Sequence, residues 1–137
     1  MDKVSVIQKL ISVKKARVYL EIGVASGDCF LKVAAPTKIA VDPEFTIPFR
    51  RKLRHHAKRL RLAFNSRSRM NEYYYKMRSD DFFAKTHSSL LKEGVDVAFV
   101  DGLHTHEQSL RDVKNCLKFL NPGGFIVVHD CNPSSRA

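Results

Sequence analysis

The sequence predicts an α/β fold in which helices cover both faces of a doubly wound parallel sheet. Short runs such as VDVAFV alternate with longer stretches of helical period along the 137 residues. The runs are almost entirely apolar, which is typical of parallel strands buried on both faces. Hydrophobic residues make up 44% of the chain, enough for the core of one domain over residues 1–137.

The spacing of apolar residues gives the position of each element. A first helix is predicted over residues 4–13, where Val4, Ile7, Leu10 and Ile11 share one face. Five strands are predicted at 17–23, 38–43, 72–77, 95–102 and 125–130. The remaining helices are predicted at 28–35, 49–64, 80–91 and 107–120, and residues 121–124 are predicted to form a turn.

Two of these helices have a predictable inner face. Apolar residues recur on one side of the second long helix, which predicts that this side packs on the sheet and the charges point outward: Phe49, Leu53, Ala57, Leu60 and Phe64. In the last helix the predicted inward residues are Leu110, Val113, Leu117 and Leu120. Thr105 and Gln108 have the spacing of a capping box at its start.

Polar side chains follow every predicted strand. Because right-handed crossovers bring the carboxyl ends of parallel strands to one edge, these side chains should meet there, where open α/β sheets bind their ligands. They are Glu21, Asp42, Ser79 with Asp80, Asp101, and His129 with Asp130.

The first of these strand ends runs into a turn with few side chains, YLEIGVASGD. Gly23 and Gly27 lack the G-x-G-x-x-G spacing of a dinucleotide site, and Glu21 would repel a pyrophosphate. Asp42 follows about 20 residues later, where an acid can bind both ribose hydroxyls. A nucleoside with a ribose, no phosphates and a sulfonium fits this pattern, which indicates S-adenosylmethionine. The alternative is that the glycines only form a tight turn.

The same residues resemble a known family. EIGVASG followed by VDP resembles the first motifs of class I S-adenosylmethionine-dependent methyltransferases, and VDVAFVDGLH with LNPGGFIVVHD resembles a subfamily of small-molecule O-methyltransferases. The resemblance implies a Rossmann-like sheet of strand order 3-2-1-4-5. The family's usual sixth and seventh strands are missing, so the chain is expected to be short or truncated at its C-terminus.

The resemblance also implies residue roles. Glu21, Gly23, Ala25 and Gly27 would surround the methionine part of the cofactor. Asp42 would bind the ribose, and Ser79 and Asp80 would flank the adenine. Asp101 would also border the cofactor, and His104 would be the catalytic base. Ala25 stands where the family more often has glycine.

A divalent metal is a further expectation at the last two strand ends. Asp101 and Asp130 should be neighbours, and two carboxylates held close repel unless a proton or a metal lies between them. Oxygen ligands on an open rim suit Mg²⁺, and His129, where the family commonly has an acid, would shift the preference toward Mn²⁺ or Zn²⁺. Alternatively, Asp101 only caps the next helix and His129 hydrogen-bonds a neighbouring strand end.

Charge and cysteine content indicate the cellular compartment and the possible partners. The formal net charge is +10, and residues 48–70 hold nine Lys and Arg and no acid, which leaves +1 on the rest. Three cysteines without CxxC spacing, no secretory signal and no apolar run long enough to span a bilayer favour a cytoplasmic protein. The basic helix at 50–69 is expected to be a solvated face. Nucleic acid is its less favoured partner.

The leading hypothesis is therefore an enzyme that methylates a hydroxyl of a small-molecule acceptor, with a sugar as one candidate. One alternative is an RNA methyltransferase that uses the basic helix. The other is a catalytically silent binding or assembly module that keeps the cofactor fold. The fifth strand is expected to be an exposed edge, which makes a homodimer plausible.

Overall fold

A computed structural model of the chain describes residues 2–65, 70–85 and 90–130, with side chains of 62–65 excepted. The strands are β1 (Val18–Ile22), β2 (Thr37–Val41), β3 (Asn71–Tyr75), β4 (Val95–Val100) and β5 (Leu120–Val128). The helices are α1 (Lys3–Lys14), α2 (Phe49–Asn65), α3 (Ser79–Lys85) and α4 (His106–Leu117). None of the helices in these ranges is long and apolar enough to cross a bilayer.

The five strands form one sheet of order β3-β2-β1-β4-β5, and all four pairings are parallel. The predicted fold class and strand order are thus confirmed. β1 lies at the centre, with Glu21 paired to Ala40 on one side and to Phe99 on the other. β5 pairs only with β4 among the described residues. The homodimer expected from that edge stays a prediction.

Alternate side chains of the strands enter two cores, one on each face of the sheet. The core under α1 contains Ile7, Ile11, Tyr19, Phe30 and Phe99. The core under α3 and α4 contains Leu20, Ile22, Phe82, Val100 and Cys116. Burial on both faces explains why the strands read as continuous apolar runs. Cys29 and Cys116 are free thiols, as predicted, and Cys131 lies outside the described residues.

The helix predicted at 28–35 is wrong: residues 28–32 form turns. Pro36 has no N–H with which to continue a helix. The ammonium group of Lys38, buried below this segment, donates to the carbonyl oxygens of Phe30 at 2.6 Å and Val33 at 3.0 Å. In a helix over 28–35 the Phe30 carbonyl would accept from Ala34 N, but Ala34 N donates to Gln8 Oε1 at 2.8 Å, and the lysine is the partner of Phe30 instead.

The turn predicted at 121–124 is also wrong, because these residues lie inside β5. The register jumps from Val95 paired with Leu120 to Val97 paired with Phe125, so the segment bulges out of the ladder. The Asn121 amide donates to Asp96 Oδ1 at 2.8 Å and fixes the bulge against β4. The helix predicted at 80–91 starts at Ser79 and ends at Lys85, and residues 86–89 lie outside the described residues.

Two predicted helix faces need correction. In α4, Leu110 and Leu117 are exposed, and the fully buried residues are Asp112 and Cys116, with Val113 packed beside them. The capping box predicted at Thr105 and Gln108 forms only in part: Thr105 Oγ1 accepts from the backbone N–H of Gln108, whereas the Gln108 amide donates to Ser79 and Asp112.

In α2 the predicted apolar face points to solvent. Phe49, Leu53 and Leu60 are exposed, and the residues that face the sheet edge are His55 and Arg59. The side chain of Phe64 lies outside the described residues. The local pattern showed the helix to be amphipathic but not which side meets the protein.

Candidate cofactor and active site

A cavity of about 540 Å³ opens at the carboxyl ends of the strands. It lies between the turn after β1, the end of β2, the start of α3, and the loop from β4 into α4. Seven of the residues predicted from sequence line it: Gly23, Ala25, Asp42, Ser79, Asp80, Asp101 and His104. Sequence positions more than 80 residues apart thus share one site, and its volume is within the usual range of ligand sites.

Position 23 requires glycine because the backbone of Asp101 lies very close to it. Its φ is +83°, and a Cβ placed on it would lie 2.1 Å from the carbonyl oxygen of Asp101. The turn after β1 therefore contacts the end of β4 directly. This contact places the residues predicted to bind the cofactor beside those predicted after β4. Gly27 is buried behind the cavity at φ +75°, where a Cβ would crowd Leu31 and Ile47.

Asp42 holds the glycine turn in place. Its Oδ2 accepts from the backbone N–H groups of Val24 at 2.7 Å and Ala25 at 2.8 Å, and its Oδ1 accepts from Glu44 N at 2.7 Å. Ala25 has a φ of +44°, a conformation that an L-residue rarely adopts. The Asp42 carboxylate thus holds the strained turn in place. Asp42 also lines the cavity.

Glu21 lies on the α1 face of the sheet, in contrast to the expectation that its charge points into the crevice. Its side chain is buried, and Tyr19 Oη donates to Oε2 at 2.6 Å. Burial raises the pKa of Glu21 to about 7, so this carboxyl is only partly ionised at neutral pH. The negative charge on the cavity wall comes instead from Asp42, Asp80 and Asp101.

One end of the cavity is built by α3 and α4. Ser79 is buried at the first position of α3, and the Gln108 amide donates to its Oγ at 3.3 Å and to Asp112 Oδ1 at 3.1 Å. Burial raises the pKa of Asp112. Arg111 Nη1 donates to Asp80 Oδ2 at 3.0 Å on the outer side.

The other end holds the histidines. Asp101 at the end of β4 accepts from Lys3 Nζ through Oδ2 at 2.8 Å, and its Oδ1 lies 3.1 Å from His129 Nδ1. The same His129 nitrogen lies 3.1 Å from Asp130 Oδ1. His104 Nδ1 lies 3.7 Å from Asp130 Oδ2. Alternating carboxylates and imidazoles therefore connect the Lys3–Asp101 ion pair to His104 in the loop after β4.

The comparisons with known proteins agree with this geometry. A family model described as a methyltransferase domain matches residues 20–131. The chain belongs to that family. No protein of curated function matches the sequence.

Solved structures share the fold of this methyltransferase domain. One is the O-methyltransferase TomG from Streptomyces achromogenes, involved in tomaymycin synthesis and solved with SAM, which is 22% identical at a TM-score of 0.60. The match covers 92% of this chain and 54% of that one. Another is an O-methyltransferase from Bacillus cereus with SAH, 17% identical at a TM-score of 0.61, with 92% and 55% covered. The chain spans about half the length of these proteins.

Nine cavity residues of the methyltransferase domain were not predicted as site residues, and four of them are polar: Arg78, Gln108, Arg111 and Asp112. Gln108 was assigned only to the helix cap, although its side chain bridges α3 and α4. Asp112 carried no usable signal, because the apolar pattern placed Leu110 and Leu117 on the inner face instead.

The predicted metal ligands fit a divalent ion poorly as they stand. Asp101 Oδ2 is occupied by the Lys3 ammonium group, and His129 Nδ1 occupies the position between the carboxylates of Asp101 and Asp130. Within 2–65, 70–85 and 90–130, no three His, Cys, Asp or Glu side chains converge as a metal site. The positive charge next to Asp101 is supplied by the protein itself.

Proposed function

We propose that the chain is an S-adenosylmethionine-dependent methyltransferase that transfers a methyl group to a hydroxyl of a small molecule, with a sugar as one candidate. The observation that carries the proposal is the lining of the 540 Å³ cavity described above. It unites the glycine turn, the acid after β2 and the polar residues after β4 within a chain of the methyltransferase-domain family.

The lining fits the cofactor chemically. Gly23 and Ala25 line one wall with few side-chain atoms, which suits the methionine part. Asp42, whose position is fixed by three backbone N–H groups, would face the ribose. Ser79 and Asp80 would border the adenine. The lining also holds Arg78 and Arg111, so the glycine turn and the family, not the net charge of the cavity, carry the choice of ligand.

The reaction asks little covalent chemistry of the protein. When bound, S-adenosylmethionine supplies an electrophilic methyl group on a sulfonium. His104, at the open end of the cavity, would accept the proton of the acceptor hydroxyl as the oxygen–carbon bond forms and the sulfur–carbon bond breaks. Asp130, 3.7 Å from His104 Nδ1, would orient the ring and stabilise its protonated form. The remaining contribution is proximity.

The acceptor would approach past the loop after β4. Leu103 is an exposed apolar residue on the cavity wall next to His104. An acceptor with both an apolar surface and a hydroxyl fits this combination. The divalent metal predicted from sequence has no role in these steps, since Lys3 already neutralises Asp101.

Calorimetric titration with S-adenosylhomocysteine tests the proposal. We expect micromolar binding by the parent chain and at least a tenfold loss in Asp80→Ala, which removes a cavity carboxylate. Asp81→Ala is the matched control, because Asp81 is the next residue of α3 and is exposed outside the cavity. Absence of binding by a folded parent chain would reject the enzyme and favour a silent module of the same fold.

A further inference from the structure

The helix α2 has an unusual orientation on the domain. Among the side chains that the structure describes, its contacts with the rest of the chain are made by three polar ones one turn apart: Arg51, His55 and Arg59. His55 Nε2 lies 2.9 Å from Glu72 Oε1, and Arg59 Nη1 donates to Glu72 Oε2 at 3.2 Å. Arg51 pairs with Asp28. Over these described side chains the inner face of the helix is polar.

The apolar residues lie on the opposite side. Phe49 is 78% exposed, Leu53 60% and Leu60 63%, and Ala57 between them is exposed as well. At 3.6 residues per turn, the centre of this stripe is about 150° around the helix from the line through Arg51, His55 and Arg59. Large apolar side chains thus form a continuous outward row that nothing in the described chain covers.

Cations border this row. Arg50, Arg54, Lys58 and Arg61 are exposed along one flank, and Lys52 is exposed on the other. The helix contains seven Lys and Arg and no Asp or Glu. A solvated surface helix would place its apolar side on the protein, whereas α2 places it outward, with four cations along one flank and Lys52 on the other.

We infer that the outward face of α2 binds the surface of an anionic lipid bilayer. Apolar side chains at the centre of a basic face are the pattern of helices that lie in the interfacial plane, with the apolar row in the acyl boundary and the cations at the headgroups. Nucleic acid would pair with the cations but leave the central leucines and Phe49 exposed. The charge complementarity and the apolar row together select the bilayer.

The burial of Glu72 supports a helix held firmly in this orientation. The Glu72 carboxylate is 1% exposed and also pairs with Lys38 Nζ at 2.9 Å. Release of α2 would leave this buried group without the contacts from His55 and Arg59. The outward row is thus a built feature of the fold.

Co-sedimentation of the full chain with lipid vesicles tests the inference. The probes are phosphatidylcholine vesicles with and without phosphatidylglycerol. We expect binding only to the anionic vesicles, weakened at least tenfold by Leu53→Ser with Leu60→Ser and strongly reduced by added salt. The matched control is Leu110→Ser with Leu117→Ser on α4, an exposed leucine pair with the same seven-residue spacing. It should bind like the parent.

The contrary outcomes are distinct. Equal binding by the α2 pair and the parent, equal binding to neutral vesicles, or no binding to any vesicle would each overturn the inference. Association of the chain with itself that depends on Leu53 and Leu60 in the absence of vesicle binding would make a second copy the occupant. Tight binding of polyuridylate that survives the leucine substitutions would assign the cations to nucleic acid. Unchanged unfolding midpoints in both serine pairs establish that the fold is intact.

Discussion

His104 occupies the position in the cavity with the strongest argument for direct chemistry. It follows β4 by four residues, lines the cavity and is exposed there, with Asp130 as its nearest carboxylate. A base in this position needs access to both acceptor and solvent. The position was predictable because the loop after β4 reaches the ligand edge in this sheet topology.

Replacement of His104 should separate catalysis from cofactor binding. We expect His104→Ala to lower methyl transfer to the preferred acceptor by about a hundredfold to ten-thousandfold, the usual contribution of a general base. Its affinity for S-adenosylhomocysteine should stay at the parent value. His106→Ala is the control, since His106 is the first residue of α4, is exposed and lies outside the cavity lining. Full activity in His104→Ala would show that another residue is the general base.

Other residue roles could not be deduced from residue type alone. Glu21 was expected to place a charge in the crevice, but the alternation of side chains along β1 turns it into the core under α1, beside Tyr19. A polar residue at a strand end has two possible faces, and a shift of one residue in register exchanges them. Asp42 ends the next strand and does reach the cavity.

At the scale of elements, the contact between the turn after β1 and the end of β4 assembles the site. Gly23 N donates to Val41 O at 3.0 Å, and its Cα faces the Asp101 carbonyl. Three neighbouring strands are therefore locked at their carboxyl ends by one glycine.

A side chain at Gly23 should break that junction. Gly23→Ala combines a φ of +83° with a Cβ 2.1 Å from a backbone oxygen, so we expect a loss of about 2–4 kcal/mol in the free energy of unfolding. Gly102→Ala is the matched control, because a Cβ there would be at ordinary contact distances of 3.5 Å and 3.6 Å. Urea unfolding measures both. Equal stability of the two variants would show that the turn can move.

The faces of α2 and α4 illustrate what local sequence leaves undetermined. Helical period identified both helices, but Leu110 and Leu117 are exposed while Asp112 is buried. Tertiary partners decide: Ser79 on α3 hydrogen-bonds with Asp112, and Glu72 on β3 pairs with His55. Those partners lie on other elements, and the apolar pattern of one helix contains no information about them.

At the scale of the whole molecule, charge is divided between two regions. The basic residues of α2 lie along β3 at one edge of the sheet, whereas carboxylates surround the cavity at the strand ends. The sheet order was predicted through the resemblance to class I methyltransferases, whereas strand pattern and right-handed crossovers predicted only a parallel sheet with its carboxyl ends on one edge. The contribution of Lys3 was not predictable, because only the packed fold brings residue 3 to residue 101.

That long-range contact gives the final prediction, which concerns the metal. Lys3 Nζ lies 2.8 Å from Asp101 Oδ2 and 5.6 Å from the centre of the Phe99 ring. The ammonium group therefore occupies the position next to Asp101 that a metal ion would take. Asp101 in turn raises the pKa of Lys3, which keeps the ammonium charged. In Lys3→Met the carboxylate loses this partner, so Mg²⁺ should bind about fivefold more tightly, equivalent to about 1 kcal/mol for a partly exposed ion pair.

Titration of Mg²⁺ into each purified chain measures the effect. Lys9→Met, an exposed lysine on the same helix, is the control and should match the parent. If the parent already binds Mg²⁺ tightly and Lys3→Met changes nothing, the ion does not compete with Lys3, and the result would support the site predicted at Asp101, His129 and Asp130. A gain confined to Lys3→Met would mean that α1, through its first residue, supplies the charge that an ion would otherwise bring to the strand ends.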